Sequence, residues 1–307
     1  MKSYYRVMLG AGSVHAADCF QGNFIGTDFD IDEDLTGRLP EDSRAFNKEF
    51  IPVYLAVHPD KGKISAGLAC GALWTVSKGI KAADMVLCPD GKNRYHIGEV
   101  VGDYYYAPGE ILFHRRPVRW HDQIIDRADM SDALKRSTGS IGTLSTISGY
   151  HDEIERLLGL SGVTEIADSN TIEDPTAFAM EKHLEEFLVQ NWSHTELGKE
   201  YDIFAEDGER VGQQYPTDTG PLDVLAVSKD KKRLLVVELK KGRASDAVVG
   251  QTLRYMGYVQ EILAEKGQTV HGVIIALEDD QRIRRALAVT PNILFYRYQI
   301  SFKLVKV

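Results

Sequence analysis

The sequence predicts an α/β protein of two domains, with a mixed sheet flanked by helices in its C-terminal part and a small β-barrel in its N-terminal part. Two aliphatic runs surround a charged tip between residues 222 and 240, which indicates a buried β-hairpin. An amphipathic helix from about Ala247 and further strand, helix and strand patterns follow to residue 298, as in an α/β sheet. Between residues 66 and 120, short strand-like runs alternate with turn residues, which is typical of a small barrel.

Composition limits the class of protein. The chain has 307 residues, enough for two domains, and 43% hydrophobic with 26% charged residues is typical of globular chains. No apolar run is long enough to cross a bilayer, and the N-terminal apolar run is too short and polar for a signal peptide. The three cysteines, Cys19, Cys70 and Cys88, lack the CxxC spacing of a zinc site. A cytoplasmic protein without membrane association is therefore expected.

The overall charge does not by itself predict nucleic-acid binding, because the formal net charge is −9. For DNA binding, the distribution of charge matters more than the net charge, and two stretches of the C-terminal part are locally basic. One runs from Lys229 to Arg243, and the other contains Arg282, Arg284 and Arg285. These clusters can contact DNA, although the hairpin tip from Lys229 to Arg233 can equally serve solubility.

Three charges interrupt the apolar hairpin strands. Asp223, Glu238 and Lys240 occupy positions that otherwise resemble core, where a charge is costly unless it is paired or bound to a metal. Glu238 and Lys240 are two residues apart and share one face of their strand, and a hairpin can place Asp223 beside them. Two carboxylates and a lysine suit a divalent cation next to a phosphate. A structural ion pair at the end of a sheet is the alternative.

These residues carry a family resemblance. The runs GPLDVLAV and LLVVELKKGRA, spaced as Asp-x14-Glu-x-Lys, resemble the PD-(D/E)xK nuclease motif, and GQTLRY at residues 250–255 resembles the GQxxRY helix of NucS-type endonucleases and related restriction nucleases. The resemblance covers residues 173–307 and implies a restriction-endonuclease-like core. It implies Mg²⁺, for which Mn²⁺ can substitute, held by Asp223 and Glu238. Lys240 and Gln251 are the implied further catalytic residues.

A helix predicted from about residue 176 to 190 resembles the first helix of that core, which supplies a further acidic residue. Glu181 and Glu185 are four residues apart and share one helix face. The resemblance favours Glu181 as the catalytic acid. A salt-bridged surface glutamate is the alternative.

Residues 1–125 resemble a second group. The runs YHIGEVVGDYYY and HRRPVRW, between residues 95 and 120, are similar to the N-terminal domain of Mrr-like and other modification-dependent restriction proteins, which is related to the PUA/EVE group. Such a domain holds a flipped base between aromatic faces. The resemblance implies base or DNA contacts by Asp28, Phe29, Trp74, Asp103, Tyr104, Arg115, Arg116 and Trp120. Core packing of the aromatic side chains is the alternative.

The predicted organisation is a recognition domain over residues 1–125, a helical connector over 126–172 and a nuclease domain over 173–307. The predicted function is Mg²⁺-dependent hydrolysis of phosphodiester bonds in double-stranded DNA that carries modified bases, by a homodimeric restriction enzyme in host defence. One alternative is a structure-specific repair nuclease of NucS type that cuts mismatches or flaps. Another is a non-catalytic DNA-binding protein, which the intact Asp223, Glu238, Lys240 and Gln251 disfavour.

Overall fold

The computed structural model describes residues 2–139, 142–159, 184–206 and 210–298. The chain divides into two compact units, residues 1–168 and 169–307, and each has its own sheet. None of the described helices has the length and hydropathy required to span a membrane.

The N-terminal unit contains a curled sheet and several helices. Its strands are β1 (Tyr4–Val7), β2 (Phe24–Thr27), β3 (Met85–Pro89), β4 (Arg94–Val100), β5 (Tyr105–Tyr106), β6 (His114–Asp126) and β7 (Leu144–Thr146). Its α-helices are α1 (Ala16–Gly22), α2 (Ser43–Val57), α3 (Lys63–Trp74), α4 (Asp132–Thr138) and α5 (His151–Leu157). The strand order is β2-β6-β4-β3-β1-β7, with β5 beside β6. Only the pair β1–β3 is parallel among these described strands.

The N-terminal unit differs in one respect from the prediction. Residues 63–74, of which the sequence analysis assigns those from 66 onward to the strand-rich region, form helix α3 because the run ISAGLACGALW is rich in small and helix-forming side chains. The PUA/EVE-like barrel is not confirmed by the strand order and stays a prediction.

Part of the region predicted as a helical connector, residues 126–172, belongs to the N-terminal unit. Strand β7 pairs with β1, and Tyr5 is opposite Thr146. Leu134, Ile147 and Ile154 are buried together with Tyr4 in one apolar cluster. The described residues after 125 and up to 159 therefore complete the core of the N-terminal unit. Sequence alone does not indicate this, since a three-residue strand at a sheet edge has almost no periodic pattern.

The C-terminal unit is a mixed sheet covered by helices. Its described helices are α6 (residues 184–190), α7 (Glu196–Glu200), α8 (Asp246–Tyr258) and α9 (Gln281–Leu287). Its strands are β8 (Tyr201–Ile203), β9 (Gln213–Tyr215), β10 (Leu222–Ser228), β11 (Arg233–Arg243), β12 (Thr269–Glu278) and β13 (Ile293–Arg297). The order is β13-β12-β11-β10-β8, with β9 also on β10.

The predicted elements of this unit are confirmed where the structure describes them. The hairpin β10–β11 is antiparallel and pairs Val224 with Val237, while β11, β12 and β13 run parallel. One face buries Val224, Val237 and Leu239 beneath Trp192. Helix α8 buries Val248, Tyr255 and Met256, as an amphipathic helix should, whereas Leu253 is 45% exposed. Strands covered on both faces read as continuous aliphatic runs, which explains why this hairpin is visible in the sequence.

Candidate active site

Asp223, Glu238 and Lys240 meet where β10 begins and β11 nears its end. The pair Val224–Val237 places Asp223 and Glu238 at the next cross-strand position, and opposite side chains of a pair share one face of the sheet. Asp223 Oδ2 accepts a hydrogen bond from the Leu239 amide at 2.7 Å. Lys240 Nζ lies 3.2 Å from Glu238 Oε1, and the Glu238 side chain is only 2% exposed. The structure therefore brings together the three charges that the sequence singles out.

Helix α8 adds Gln251 and Tyr255 to the same place. The Tyr255 hydroxyl donates to the Pro221 carbonyl at 3.0 Å, which attaches the helix to the residues immediately before β10. Gln251 Nε2 lies 3.5 Å from that hydroxyl and donates to it. Burial, first, and then the nearby carboxylates Glu238 and Asp223 raise the pKa of Tyr255, whereas Gln251 and Lys240 oppose the rise.

The acidic residue that α6 contributes is Glu185. It is 6% exposed, and its two carboxylate oxygens accept from the side-chain amides of Gln213, at 2.7 Å, and Gln214. Gln214 Nε2 also donates to Asp223 Oδ1 at 3.2 Å. Glu181, which the family resemblance favours, lies outside the described residues.

The helical spacing places Glu185 on the same face as Glu181, but the sequence gives no sign of Gln213 and Gln214. No local pattern marks them, because β9 is three residues long and lies at the edge of the hairpin. Their role follows only from the pairing of Tyr215 with Leu222 and of Gln213 with Val224, which places Gln214 opposite Asp223.

Two of the predicted DNA contacts in the N-terminal unit are buried structural arginines. Arg116 is 4% exposed and donates to the carbonyls of Gly102, Ser77 and Ile80 at 2.8–3.2 Å. Burial lowers its pKa, although Asp103 and Asp84 oppose this. The prediction that Arg116 holds a phosphate does not fit this placement, since its donors face backbone carbonyls inside the unit.

Arg115 is placed in the same way. Its guanidinium lies 3.8 Å from the centre of the Phe24 ring and donates to the carbonyls of Ile111 and Leu112. Its remaining partner is Glu110, at 2.6 Å. The residue is 6% exposed, so the predicted phosphate contact does not fit Arg115 either.

Tyr104 and Asp28 lie near a buried histidine, His114, which is not among the predicted DNA contacts. His114 is fully buried, with Nδ1 2.9 Å from the Tyr104 hydroxyl and Nε2 2.8 Å from the Ile31 carbonyl. Burial is the main influence on the pKa of His114 and lowers it, while Asp28 is among the carboxylates that raise it. Asp28 and the neighbouring Phe29 are half-buried and remain available to a ligand.

The other base-contact candidates are more scattered. Trp74 Nε1 donates to the Pro40 carbonyl at 2.9 Å, and Asp103 is exposed. Trp120 packs edge-on against Phe20, with ring centres 4.9 Å apart. Trp120 is six residues beyond His114 on β6, up to about 20 Å along an extended strand. The eight predicted residues therefore do not line a single pocket.

The basic stretch from Lys229 to Arg243 divides into two groups. The exposed lysines of the hairpin tip, Lys229, Lys231 and Lys232, follow the end of β10, whereas Asp223 lies near its start. Five residues of strand separate Asp223 from Ser228, or about 17 Å. Lys240, Lys241 and Arg243 lie at the other end, beside the carboxylates. Only this second group is close enough to contact the phosphates flanking a bond held at the site.

The donor set suits magnesium. Mg²⁺ is usually held by one or two protein carboxylates, while water and substrate phosphates complete its shell. Asp223 and Glu238 supply two such carboxylates on one face of the hairpin. Among the described residues, no group of three or more His, Cys, Asp or Glu side chains is arranged to hold a metal ion.

Two sequence families match the chain, one in each unit. Residues 180–297 match the family described as the endonuclease NucS C-terminal domain, and residues 5–148 match a domain of unknown function, DUF8426. An endonuclease NucS from Corynebacterium aurimucosum is 32% identical over 136 residues, which cover 43% of this chain and 47% of that protein. The match thus spans about half of its relative. These findings support a NucS-like nuclease in the C-terminal part.

Solved structures with limited similarity include an EndoMS–dsDNA2 complex and a repair endonuclease from Pyrococcus abyssi. The first has a TM-score of 0.32 and 14% identity, covering 68% of this chain and 62% of the other. The second has a TM-score of 0.31 and 18% identity, covering 69% and 66%.

Proposed function

We propose that the chain is a Mg²⁺-dependent DNA endonuclease of NucS type, whose C-terminal unit hydrolyses phosphodiester bonds. The observation that carries the proposal is the convergence of Asp223, Glu238 and Lys240 with Gln251 and Tyr255 at one end of the hairpin. That site lies within the residues that match the NucS C-terminal family. Paired carboxylates and a lysine in otherwise apolar strands are costly for folding alone, which favours a functional over a purely structural role.

The carboxylates and the lysine of the site have separate roles in the proposed hydrolysis. Asp223 and Glu238 would hold Mg²⁺, which supplies Lewis acidity toward the scissile phosphate and lowers the pKa of bound water. Lys240 is held beside Glu238 at 3.2 Å, where its ammonium group can donate to a non-bridging phosphate oxygen or to the attacking water. Donors fixed in advance at the position of developing charge cost no reorganisation during the reaction.

Gln251 would position the attacking water or a phosphate oxygen. Its amide is half-buried and bonded to Tyr255, whose own hydroxyl is bonded to the Pro221 carbonyl. Tyr255 therefore holds the Gln251 side chain in place and connects it to the strand that carries Asp223. Glu185 is the acidic residue that the first helix of the nuclease unit would contribute.

The N-terminal unit would choose the substrate. A nuclease core contacts mostly phosphates, which carry no base identity, so selection has to come from elsewhere. We favour a DNA structure such as a mismatch or flap as the target, because the relatives of the C-terminal unit are NucS endonucleases. Reading of a modified base is the second candidate. The half-buried Asp28 and Phe29 favour it, since a flipped base needs an accessible aromatic face and an edge acceptor.

The deciding experiment is cleavage of matched duplexes by the full chain in Mg²⁺. The substrates are one plain duplex and the same sequence with a mismatch, with a flap, with a modified cytosine and with a modified adenine. Faster cutting of the mismatch or flap supports the proposal, with Asp223→Asn as the inactive control. Preference for a modified duplex would replace it with the second candidate, and no metal-dependent cleavage of any duplex would reject the nuclease function. Light scattering on the same sample tests the predicted homodimer.

Substitution of Phe29 by alanine tests the second candidate within the full chain. If Phe29 stacks on a modified base, the variant should lose its preference for that duplex while cutting plain duplex at an unchanged rate. Discrimination of a methyl-sized group is worth about 1–3 kcal/mol, so the preference at stake is about tenfold to two-hundredfold. An unchanged preference would exclude Phe29 from base recognition.

A further inference from the structure

One side-chain amide connects two carboxylates from different elements at the candidate site. Gln214 Nε2 donates to Asp223 Oδ1 at 3.2 Å and also to Glu185 Oε2. Asp223 belongs to β10 and Glu185 to α6, so the contact connects the hairpin to the first helix of the unit. Gln213 holds the other oxygen of Glu185 but does not contact Asp223 in any of its described hydrogen bonds.

The backbone is bent to make this possible. Neighbouring residues of a strand normally project to opposite faces, so Gln213 and Gln214 should not reach the same group. Gln214 has a φ of 50°, which lies in the left-handed region that residues other than Gly, Asn and Asp rarely occupy. This turn directs both amides toward Glu185. A strained conformation in a strand next to a cluster of carboxylates is a reason to look for function there.

We propose that Gln214 is a positioning residue that orients Asp223 for the divalent cation and fixes Glu185 next to it through the same amide. The inference rests on the proposed nuclease function. Two carboxylates placed together repel each other, and an amide with two N–H groups can donate to both and fix their rotamers. Hydrogen bonds to ligating carboxylates are worth about tenfold to a hundredfold in metal affinity or activity.

Two substitutions separate the amide from the backbone turn. Gln214→Gly removes the side chain and adopts a φ of 50° without strain, so it preserves the turn and the fold. Gln214→Ala removes the amide but keeps a Cβ. Both variants should bind Mn²⁺, measured by calorimetry, about tenfold or more weakly than wild type. Both should also cut more slowly at low Mg²⁺ and recover at high Mg²⁺, which a general loss of folding would not produce.

Gln213→Ala and Gln260→Ala are the matched controls. Gln213 contacts only Glu185 of the two carboxylates, so its loss should weaken Mn²⁺ binding less than the loss of Gln214. Gln260 is exposed two residues after the end of α8, and its substitution should change nothing. In a double-mutant cycle, Glu185→Ala should reduce the effect of Gln214→Gly on Mn²⁺ affinity, because the two residues act through one contact.

Two results distinguish this inference from the proposed function. Wild-type Mn²⁺ affinity and Mg²⁺ dependence in Gln214→Gly, while Asp223→Asn abolishes both, would overturn the positioning role and leave the nuclease intact. Weakened Mn²⁺ binding in Gln214→Gly of a chain that cuts no duplex would support the positioning role and reject the nuclease.

Discussion

Strand β6 in the N-terminal unit and the hairpin β10–β11 in the C-terminal unit both place charged side chains at buried or half-buried positions. Arg116 is surrounded by backbone carbonyls of its own unit, each of which accepts one of its hydrogen bonds. Asp223 and Glu238, in contrast, lie beside each other and beside Lys240 at the end of a hairpin. A buried charge whose described hydrogen bonds all go to backbone carbonyls stabilises the fold. Two carboxylates gathered beside a lysine form a set of ligands that a divalent cation can use.

The largest expected effect tests the hairpin side of this comparison. Asp223→Asn or Glu238→Gln should reduce Mg²⁺-dependent cleavage about a thousandfold or more. Loss of a metal-holding carboxylate removes several kcal/mol of transition-state stabilisation, and each tenfold corresponds to about 1.4 kcal/mol. The measurement is the single-turnover cleavage rate, with circular dichroism to check folding. Asp202→Asn, on the exposed face of β8, is the control that should cut normally. Normal cleavage by either site variant would remove the carboxylates from the mechanism.

The second prediction tests the β6 side. Arg116→Met keeps much of the apolar length but deprives the carbonyls of Gly102, Ser77 and Ile80 of a donor. Since an unsatisfied buried acceptor costs about 1–3 kcal/mol, we expect a loss of about 2–4 kcal/mol in the free energy of unfolding. Arg119→Met on the same strand is the control. Its side chain is 69% exposed and its ion pair with Glu99 is worth at most about 1 kcal/mol.

The outcome that contradicts this second prediction is a stable Arg116→Met protein with weakened DNA binding. In that case the arginine would act on DNA, and the distinction drawn between the two strands would fail. Urea unfolding and DNA affinity measured on the same preparation separate the two results.

The third prediction ranks two residues near the hairpin carboxylates by how much their substitution slows cleavage. Gln251→Ala should slow cleavage about tenfold to a hundredfold, because it removes a positioned donor near the reacting phosphate. Tyr255→Phe removes the bond to the Pro221 carbonyl and the bond from Gln251, each worth about 1 kcal/mol, and should slow cleavage a few-fold. The measurement is the rate at saturating Mg²⁺. A wild-type rate for Gln251→Ala would restrict α8 to a structural role.

The smallest effect concerns the pH dependence of the N-terminal unit. Burial lowers the pKa of His114 below its ordinary value of about 6.5, so the unfolded chain binds a proton more readily than the folded one. The resulting stability is fully present above about pH 6.5 and is lost as the pH falls through the folded-state pKa. His114→Gln should therefore show a shallower fall of melting temperature between about pH 7 and 5 than wild type. An equal slope in both proteins would assign the dependence to other groups, such as His96, whose pKa burial also lowers.

Much of the C-terminal unit could be predicted because its information is local. Continuous aliphatic runs mark strands covered on both faces, and Asp223, Glu238 and Lys240 stand out within them. Their proximity follows from a hairpin whose tip is only four residues long, residues 229–232. A register set by so short a connection leaves few alternatives, and the side-chain period of two then decides which charges share a face.

The tertiary structure alone decided which charged and polar residues surround these strands. Arg115 and Arg116 are candidate DNA contacts in the sequence, but the carbonyls of Ile111 and Leu112 accept from Arg115, and carbonyls 14 to 39 residues away accept from Arg116. Gln214 has no local pattern, yet the pairing of β9 with β10 and a left-handed turn place it between two carboxylates. The physical reason is that a hydrogen-bond partner far along the chain leaves no periodic trace. The sequence by itself therefore determined which strands carry the charges, and long-range packing determined whether each charge supports the fold or forms the site.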